Sequence, residues 1–115
     1  MYQFSYVEVL DEAPQQRRQQ EREALTNSIE LLRLAEKAGI GSRETVDALL
    51  YLRNLWAFLL EDLGRGDNQL PDELRAELIS IGIWLMRESE RVRKGETEDL
   101  KGLIEISEII AEGLK

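Results

Sequence analysis

Apolar and polar positions along the chain repeat with the spacing of amphipathic helices, and glycine and proline separate the repeats. Residues three or four apart on a helix lie on one face, so apolar residues at that spacing form a stripe to be buried. The pattern predicts helices at residues 14–38, 42–63, 71–94 and 98–114. Short connections favour antiparallel neighbours, so we expect one all-α domain over residues 1–115, a mostly antiparallel four-helix bundle.

The predicted helix boundaries depend on a few residues with clear preferences. Gly39 and Gly95 lie where a helix should end, because glycine adopts the left-handed conformation that ends many helices. Ser42 is suited to cap the second helix, and Pro71 to begin the third. Thr97 is followed by two acidic residues and predicts the start of the fourth helix at about residue 98.

The first 13 residues do not continue the helical pattern. Tyr2, Phe4 and Tyr6 alternate with other residues as in a strand, yet the chain offers no second strand to pair with them. Aromatic rings favour burial. We therefore expect an N-terminal arm over residues 1–13, either extended or with a short helical segment from Ser5 to Leu10, packed either on its own bundle or on a partner.

The third predicted helix is apolar around most of its circumference between residues 78 and 86. Such a helix needs cover on several sides, which predicts that it is the central helix of the bundle. Two of its residues are not explained in this way. Trp84 falls on the same side as Glu77 and Glu88, and Gly82 costs about 1 kcal/mol relative to alanine inside a helix.

A protein-binding surface near the third helix is one explanation of these residues. Tyr51 and Phe58 flank the apolar stripe of the second helix and could extend the same surface. The alternative is that the bundle core covers every aromatic ring. The predicted partner-binding residues are Trp84, Ile83, Gly82, Phe58 and Tyr51.

Composition argues against catalysis. The chain has 115 residues and neither cysteine nor histidine, which excludes disulfides, thiol nucleophiles and Cys/His zinc sites. Carboxylate neighbours occur at Glu61–Asp62 and Glu98–Asp99, but adjacent helical residues point about 100° apart, and acids at helix ends are expected to be solvated. We expect no enzyme, no catalytic residue, no metal and no cofactor.

The charge of the chain disfavours nucleic acid as a partner without excluding it. With 23 acidic and 15 basic residues the formal net charge is −8, which repels polyanions at long range. A basic cluster near the end of the third helix is the weak nucleic-acid alternative, formed by Arg87, Arg91, Arg93 and Lys94. Cations in the last turns of a helix also oppose the negative end of its dipole, which explains them without RNA.

The sequence predicts a cytoplasmic protein without a membrane span. The apolar run between Glu77 and Arg87 is about nine residues long, where roughly twenty are needed to cross a bilayer. The N-terminal sequence MYQFSYVEVLDE is acidic and lacks the basic region of a signal peptide.

With these segments defined, the chain resembles the FlaF family, small flagellar biosynthesis proteins of alphaproteobacteria. The most specific likeness is LRAELISIGIWLM, which follows RNLWAFLLEDL. The resemblance extends over the whole chain in order, through MYQFSY, REALTNSIELLRLAE, SRETVDALLYLRNLWAFLLEDLG, NQLPDELRAELISIGIWLMRESE and LKGLIEISEIIAEGLK.

The resemblance implies a cytoplasmic protein needed to make and export flagellin. One expected role is a secretion chaperone that binds flagellin, whose terminal amphipathic helices stay unstructured until assembly. The other is a post-transcriptional regulator of flagellin messenger RNA that acts with the regulator FlbT, through contact with RNA or as an adaptor. No catalytic residues come with the family, and either a monomer or a homodimer is consistent with it.

Overall fold

The computed structural model describes residues 14–113, and the arm predicted for residues 1–13 lies outside them. Within this part of the chain all regular structure is helical, and the predicted all-α four-helix bundle is confirmed. The helices are α1 (Pro14–Ala38), α2 (Arg43–Leu63), α3 (Asp72–Arg93) and α4 (Lys101–Gly113).

The four helices contact one another around a closed ring. α1 packs against α2 and α4, and α3 packs against α2 and α4, so α1 lies diagonally opposite α3 and α2 opposite α4. The contact between α3 and α4 is much less extensive than the other three. The bundle is therefore most open between its last two helices.

The core centres on α2 rather than on α3. Trp56 of α2 is 1% exposed, and the side chains around it come from all four helices. The buried residues of α3 are only Gly82, Leu85, Ser89 and Val92. The expectation that the third helix is central is wrong, because α3 packs extensively against α2 alone. Its apolar arc is wider than the surface that its neighbours cover.

The predicted helix ends at the first connection and after α3 have the expected local chemistry. The Thr45 backbone N–H donates to Ser42 Oγ at 3.2 Å, so Ser42 caps α2. Gly39 and Gly95 follow α1 and α3 with φ of 102° and 78°, the left-handed conformation that glycine adopts without strain.

The fourth helix begins at Lys101, three residues later than predicted. The Asp99 N–H donates to Thr97 Oγ1 at 3.3 Å, and the Lys101 N–H donates to Asp99 Oδ1 at 2.8 Å. These two side-chain turns compete with helical hydrogen bonding and hold residues 97–100 outside the helix.

Candidate protein-binding face

Trp84 lies at the edge between α3 and α4. Its side chain is on the surface, and the residue is 42% exposed. A Cβ built on Gly102, in the first turn of α4, would be 3.3 Å from Trp84 Cη2, so the indole rests against the α4 backbone. The sequence placed Trp84 among charged residues; the structure adds that the ring links two helices and remains partly open to solvent.

Gly82 makes the equivalent contact on the other side of α3. A Cβ at this position would be 2.7 Å from Trp56 Cε3 and 2.8 Å from Leu60 Cδ2, closer than carbon atoms approach. The buried Trp56 ring occupies the space that a side chain at Gly82 would need. The glycine is thus explained by packing inside the bundle, and each tryptophan of the chain contacts a glycine of the next helix.

The five predicted partner-binding residues are divided among different surroundings. Gly82 is buried against α2, whereas Trp84 faces α4. Ile83 is 42% exposed and lies between them on the helix, about 100° from each. Tyr51 and Phe58 are half-buried and pack against the core. A role for any of them in binding a partner stays a prediction.

A strip of apolar side chains follows the open edge between α3 and α4, and sequence analysis missed much of it. Gly102, Ile106 and Ile109 are spaced to lie on one side of α4, and the contact of Gly102 with Trp84 shows that this side faces α3. Ile109 is 66% exposed and Leu74 is 38% exposed. We call this strip the α3–α4 face; it consists of Leu74, Ile81, Trp84, Gly102, Ile106 and Ile109.

The signal for Ile109 was present in the sequence. Ile109 and Ile110 are adjacent on α4 and point about 100° apart, and on the side of Ile109 the helix carries Glu105 and Glu112 one turn away. The structure buries Ile110 and exposes Ile109. Leu74 gave no such signal, because its spacing matches the buried residues of α3 and only the arrangement of the helices leaves it uncovered.

The charges beside the α3–α4 face are mainly acidic. By helical spacing Glu77 lies within the strip on α3, between Leu74 and Ile81, while Glu105 borders the strip on α4, and both are exposed. On α3 the exposed Arg87 lies one turn after Trp84, and Arg91, two turns after it, is paired with Glu88 at 2.9 Å and with Glu96 at 3.7 Å. The face is therefore an apolar strip with acidic side chains both within it and beside it.

The basic cluster at the end of α3 is partly neutralised. Arg93 Nε donates to Glu90 Oε1 at 2.8 Å, and this hydrogen bond lowers the pKa of Glu90 to about 2. Arg91 is held by its two acidic partners. Arg87 and Lys94 are exposed. The four residues predicted as a nucleic-acid site thus lie together, but with acidic side chains among them.

A small cavity lies at the end of the bundle where α1 and α3 begin and α2 and α4 end. Its volume is about 60 Å³, and its lining includes Arg18, Glu21, Trp56 and Asp62. Small-molecule sites usually have about 300 Å³ or more, so this cavity has room for a few waters only. Asp62 is 7% exposed, and the expectation that its carboxylate is solvated is wrong: it lies in the lining of this cavity together with Arg18 and Glu21 of α1.

A larger, open hollow runs between α1 and α4, with a volume of about 920 Å³. Its walls carry mostly charged and polar side chains, and an ion pair between Arg33 and Glu108 joins the two helices there. Because this hollow is polar and already bridged, it fits an apolar partner less well than the α3–α4 face does.

Two further classes of site are absent from residues 14–113. No helix there is long and apolar enough to cross a membrane. In the same range, no group of three acidic side chains comes together as a metal site.

The fold and the α3–α4 face define a small all-α bundle protein whose candidate site is an open apolar strip rather than an enclosed pocket. The chain matches the family model described as "Flagellar protein FlaF" over residues 2–114, and it belongs to that family of flagellar proteins. The resemblance seen in the sequence is thereby confirmed. No curated protein and no solved structure matches the chain.

Proposed function

We propose that this flagellar protein is a non-enzymatic export chaperone that binds a terminal amphipathic helix of flagellin along the α3–α4 face. The main support is that Trp84 is 42% exposed and Ile109 is 66% exposed, at the least closed edge of the bundle. An apolar side chain in water loses about 25 cal/mol for each Å² left uncovered. A client helix that covers this strip recovers that free energy.

The shape of the strip favours a helical client. Its residues follow the edge between α3 and α4, where a third helix could lay its apolar face by the helix-in-groove mode of recognition. A flagellin terminal helix has such an apolar face, because that face is buried when the filament assembles. Covering it would delay assembly until export, which is what a chaperone must do.

The acidic side chains within and beside the strip add selectivity. Glu77 and Glu105 would oppose acidic partners and nucleic acid, while a client with neutral or basic flanks would meet no repulsion. Since the central contacts are apolar, the affinity should change little with salt.

Titration calorimetry of the purified protein with flagellin at micromolar concentrations tests the proposal. We expect a complex that requires the terminal segments of flagellin. Ile109→Ser should weaken it about fivefold or more, whereas the control Val46→Ser, at an exposed apolar residue of α2, should leave the affinity unchanged. No heat of binding, or equal effects of the two variants, would contradict the proposal.

Trp84→Ala is a second variant for the same experiment, with one added control. The indole also rests on Gly102, so this change removes a contact inside the bundle as well as surface. Its affinity is interpretable when circular dichroism shows the helix content and the unfolding midpoint to be close to those of the parent. A weakened complex with an intact bundle would identify Trp84 as an anchor residue.

The regulatory alternative predicts a different dependence on salt. Direct contact with messenger RNA would lose affinity steeply as salt rises and would require Arg87, Arg91 and Arg93. The acidic partners of Arg91 and Arg93 weigh against it. A mobility-shift assay at two salt concentrations, with and without FlbT, separates the cases, and binding seen only with FlbT would indicate an adaptor.

A further inference from the structure

We propose that α2 forms the contact of a homodimer, in which it packs antiparallel to α2 of a second copy of the chain. The contact uses the side of α2 that faces away from the bundle. Dimerisation does not depend on flagellin, so this proposal and the export-chaperone proposal can fail independently.

The contact residues form one exposed stripe along α2. Their spacing alternates between four and three residues, so they lie within about 40° of a common line on the helix, as in the seam between two paired helices. All are exposed, and the large apolar side chain among them, Leu50, is 55% exposed. Val46, 62% exposed, lies beside the stripe one turn before Leu50. The α2 stripe consists of Arg43, Asp47, Leu50, Asn54, Ala57 and Glu61.

The charges at the two ends of the α2 stripe are unfavourable for α2 on its own. Arg43 is the first residue of the helix, beside the positive end of its dipole, and Glu61 is in the last turn, beside the negative end. Among residues 14–113, no ion pair involves either side chain. Both charges would be stabilised by an opposite charge from outside the bundle.

A second copy supplies those opposite charges, because the α2 stripe matches itself when it is reversed. In an antiparallel pair with Arg43 opposite Glu61 of the second copy, Leu50 lies opposite Asn54, and each contact occurs twice. The two Leu50 side chains are then about one turn apart and form an apolar centre. Each Arg43 also lies beside the negative end of the second helix. A parallel pair would instead place each charge beside its own copy, which is repulsive.

The size of the contact sets the expected affinity. From Arg43 to Glu61 the helix rises roughly 27 Å. One helix from each copy gives a small interface, in the class below about 1,200 Å² that is typical of weak complexes. We expect a dissociation constant of roughly 10–100 µM at about 0.15 M salt, where repulsion between the two acidic copies is screened beyond about 8 Å.

The dimer contact and the α3–α4 face are on different sides of the bundle. α2 is diagonally opposite α4, and the α2 stripe is on the outside of α2. The α3–α4 face therefore stays accessible in both copies. Replacements on the outside of α2, Val46→Ser included, act on the dimer and not on that face.

Sedimentation equilibrium of the full chain, from roughly 1 to 500 µM, tests the charge pairing. Arg43→Glu should weaken the dimer roughly tenfold, because both contacts with Glu61 become repulsive. Arg43→Glu combined with Glu61→Arg should restore the affinity to within about threefold of the parent, because the pair is then reversed. Both replacements also suit the dipole of α2, so the helix is expected to remain folded.

The matched control is Lys101→Glu, which changes the net charge equally and replaces the exposed first residue of α4. It should change the dissociation constant less than about twofold. A monomer at every concentration would overturn the proposal. So would equal effects of Arg43→Glu and Lys101→Glu, or the absence of recovery in the double variant.

Single cysteines test the orientation, because the chain contains no cysteine of its own. In the antiparallel pair Asp47 lies opposite Ala57 of the second copy, whereas the two Asp47 residues are roughly 15 Å apart, beyond the reach of a disulfide. Under mild oxidation at about 100 µM, a mixture of the Asp47→Cys and Ala57→Cys proteins should form a covalent dimer at least about tenfold faster than either protein alone. Non-reducing electrophoresis and mass spectrometry measure the rates. Fast cross-linking of Asp47→Cys alone would indicate a parallel pair and overturn the proposal, as would equal rates in all three samples.

Discussion

Gly82 is needed in α3 because the ring of Trp56 packs against it. The space beyond its Cα is filled by Trp56 and Leu60, and a Cβ there would be 2.7 Å from the indole. From the sequence the residue was an unexplained cost within a helix. The low helix propensity of this glycine is explained by a contact between residues 26 positions apart, which helical periodicity does not reveal.

Gly82→Ala should therefore destabilise the protein although alanine is the better helix former. Overpacking a core costs about 1–3 kcal/mol, against a gain in helix propensity of about 1 kcal/mol. Because the buried indole cannot move away, we expect the free energy of unfolding to fall by about 1–2 kcal/mol in urea titrations followed by circular dichroism.

The control for this variant is Gly102→Ala. Its new Cβ would be 3.3 Å from Trp84 Cη2, and that ring lies at the surface, where it can shift slightly. We expect unchanged or slightly raised stability. A loss as large as that of Gly82→Ala would show that burial of the ring does not decide the outcome.

At the scale of the helices, the local sequence was sufficient to predict a helix end wherever that end is determined by the few residues around it. Ser42 begins α2, and Gly39 and Gly95 follow α1 and α3 as predicted. The start of α4 was misplaced because Thr97 and Asp99 can either cap a helix or form turns before it. Their side chains fit both structures, and sequence gives no means of choosing.

Ser42→Ala tests the cap that the sequence predicted. Ser42 Oγ accepts the Thr45 N–H and also donates to the Gly39 carbonyl oxygen at 2.7 Å. Its removal leaves an N–H at the helix start without that partner and should lower the free energy of unfolding by about 1 kcal/mol. Ser80→Ala, at an exposed position within α3, is the control and should change it by less than about 0.5 kcal/mol. Equal effects would argue against the capping role.

For the whole molecule, the fold class was predictable from the sequence, but how fully the helices cover one another was not. Amphipathic spacing and short connections led to four antiparallel helices. They could not show that α2 would be central, because the apolar arc of α3 is wide enough for that position as well. The structure leaves part of that arc uncovered as Leu74 and Trp84, and these residues are two of the six that form the candidate site.

Unequal packing should make the helices differ in their resistance to local opening. α4 has 13 residues and only limited contact with α3, whereas α2 contacts both of its neighbours extensively. Short helices depend on tertiary contacts for their stability. In native-state hydrogen exchange we expect the amides of α4 to open at least about 1 kcal/mol more easily than those of α2. Identical opening free energies in the two helices would contradict this view of the bundle.

The two contacts between a tryptophan and a glycine also set how the helices can slide along one another. Trp56 of α2 meets Gly82 of α3, and Trp84 of α3 meets Gly102 of α4. A slide of one helical turn, about 5.4 Å, would bring Ile79 or Met86 to the place of Gly82, and neither fits against the indole. These two tryptophan–glycine contacts therefore fix the axial alignment of α2, α3 and α4. Sideways movement of α4 away from α3 would break the contact between Trp84 and Gly102, so the face cannot widen without losing one of these two constraints.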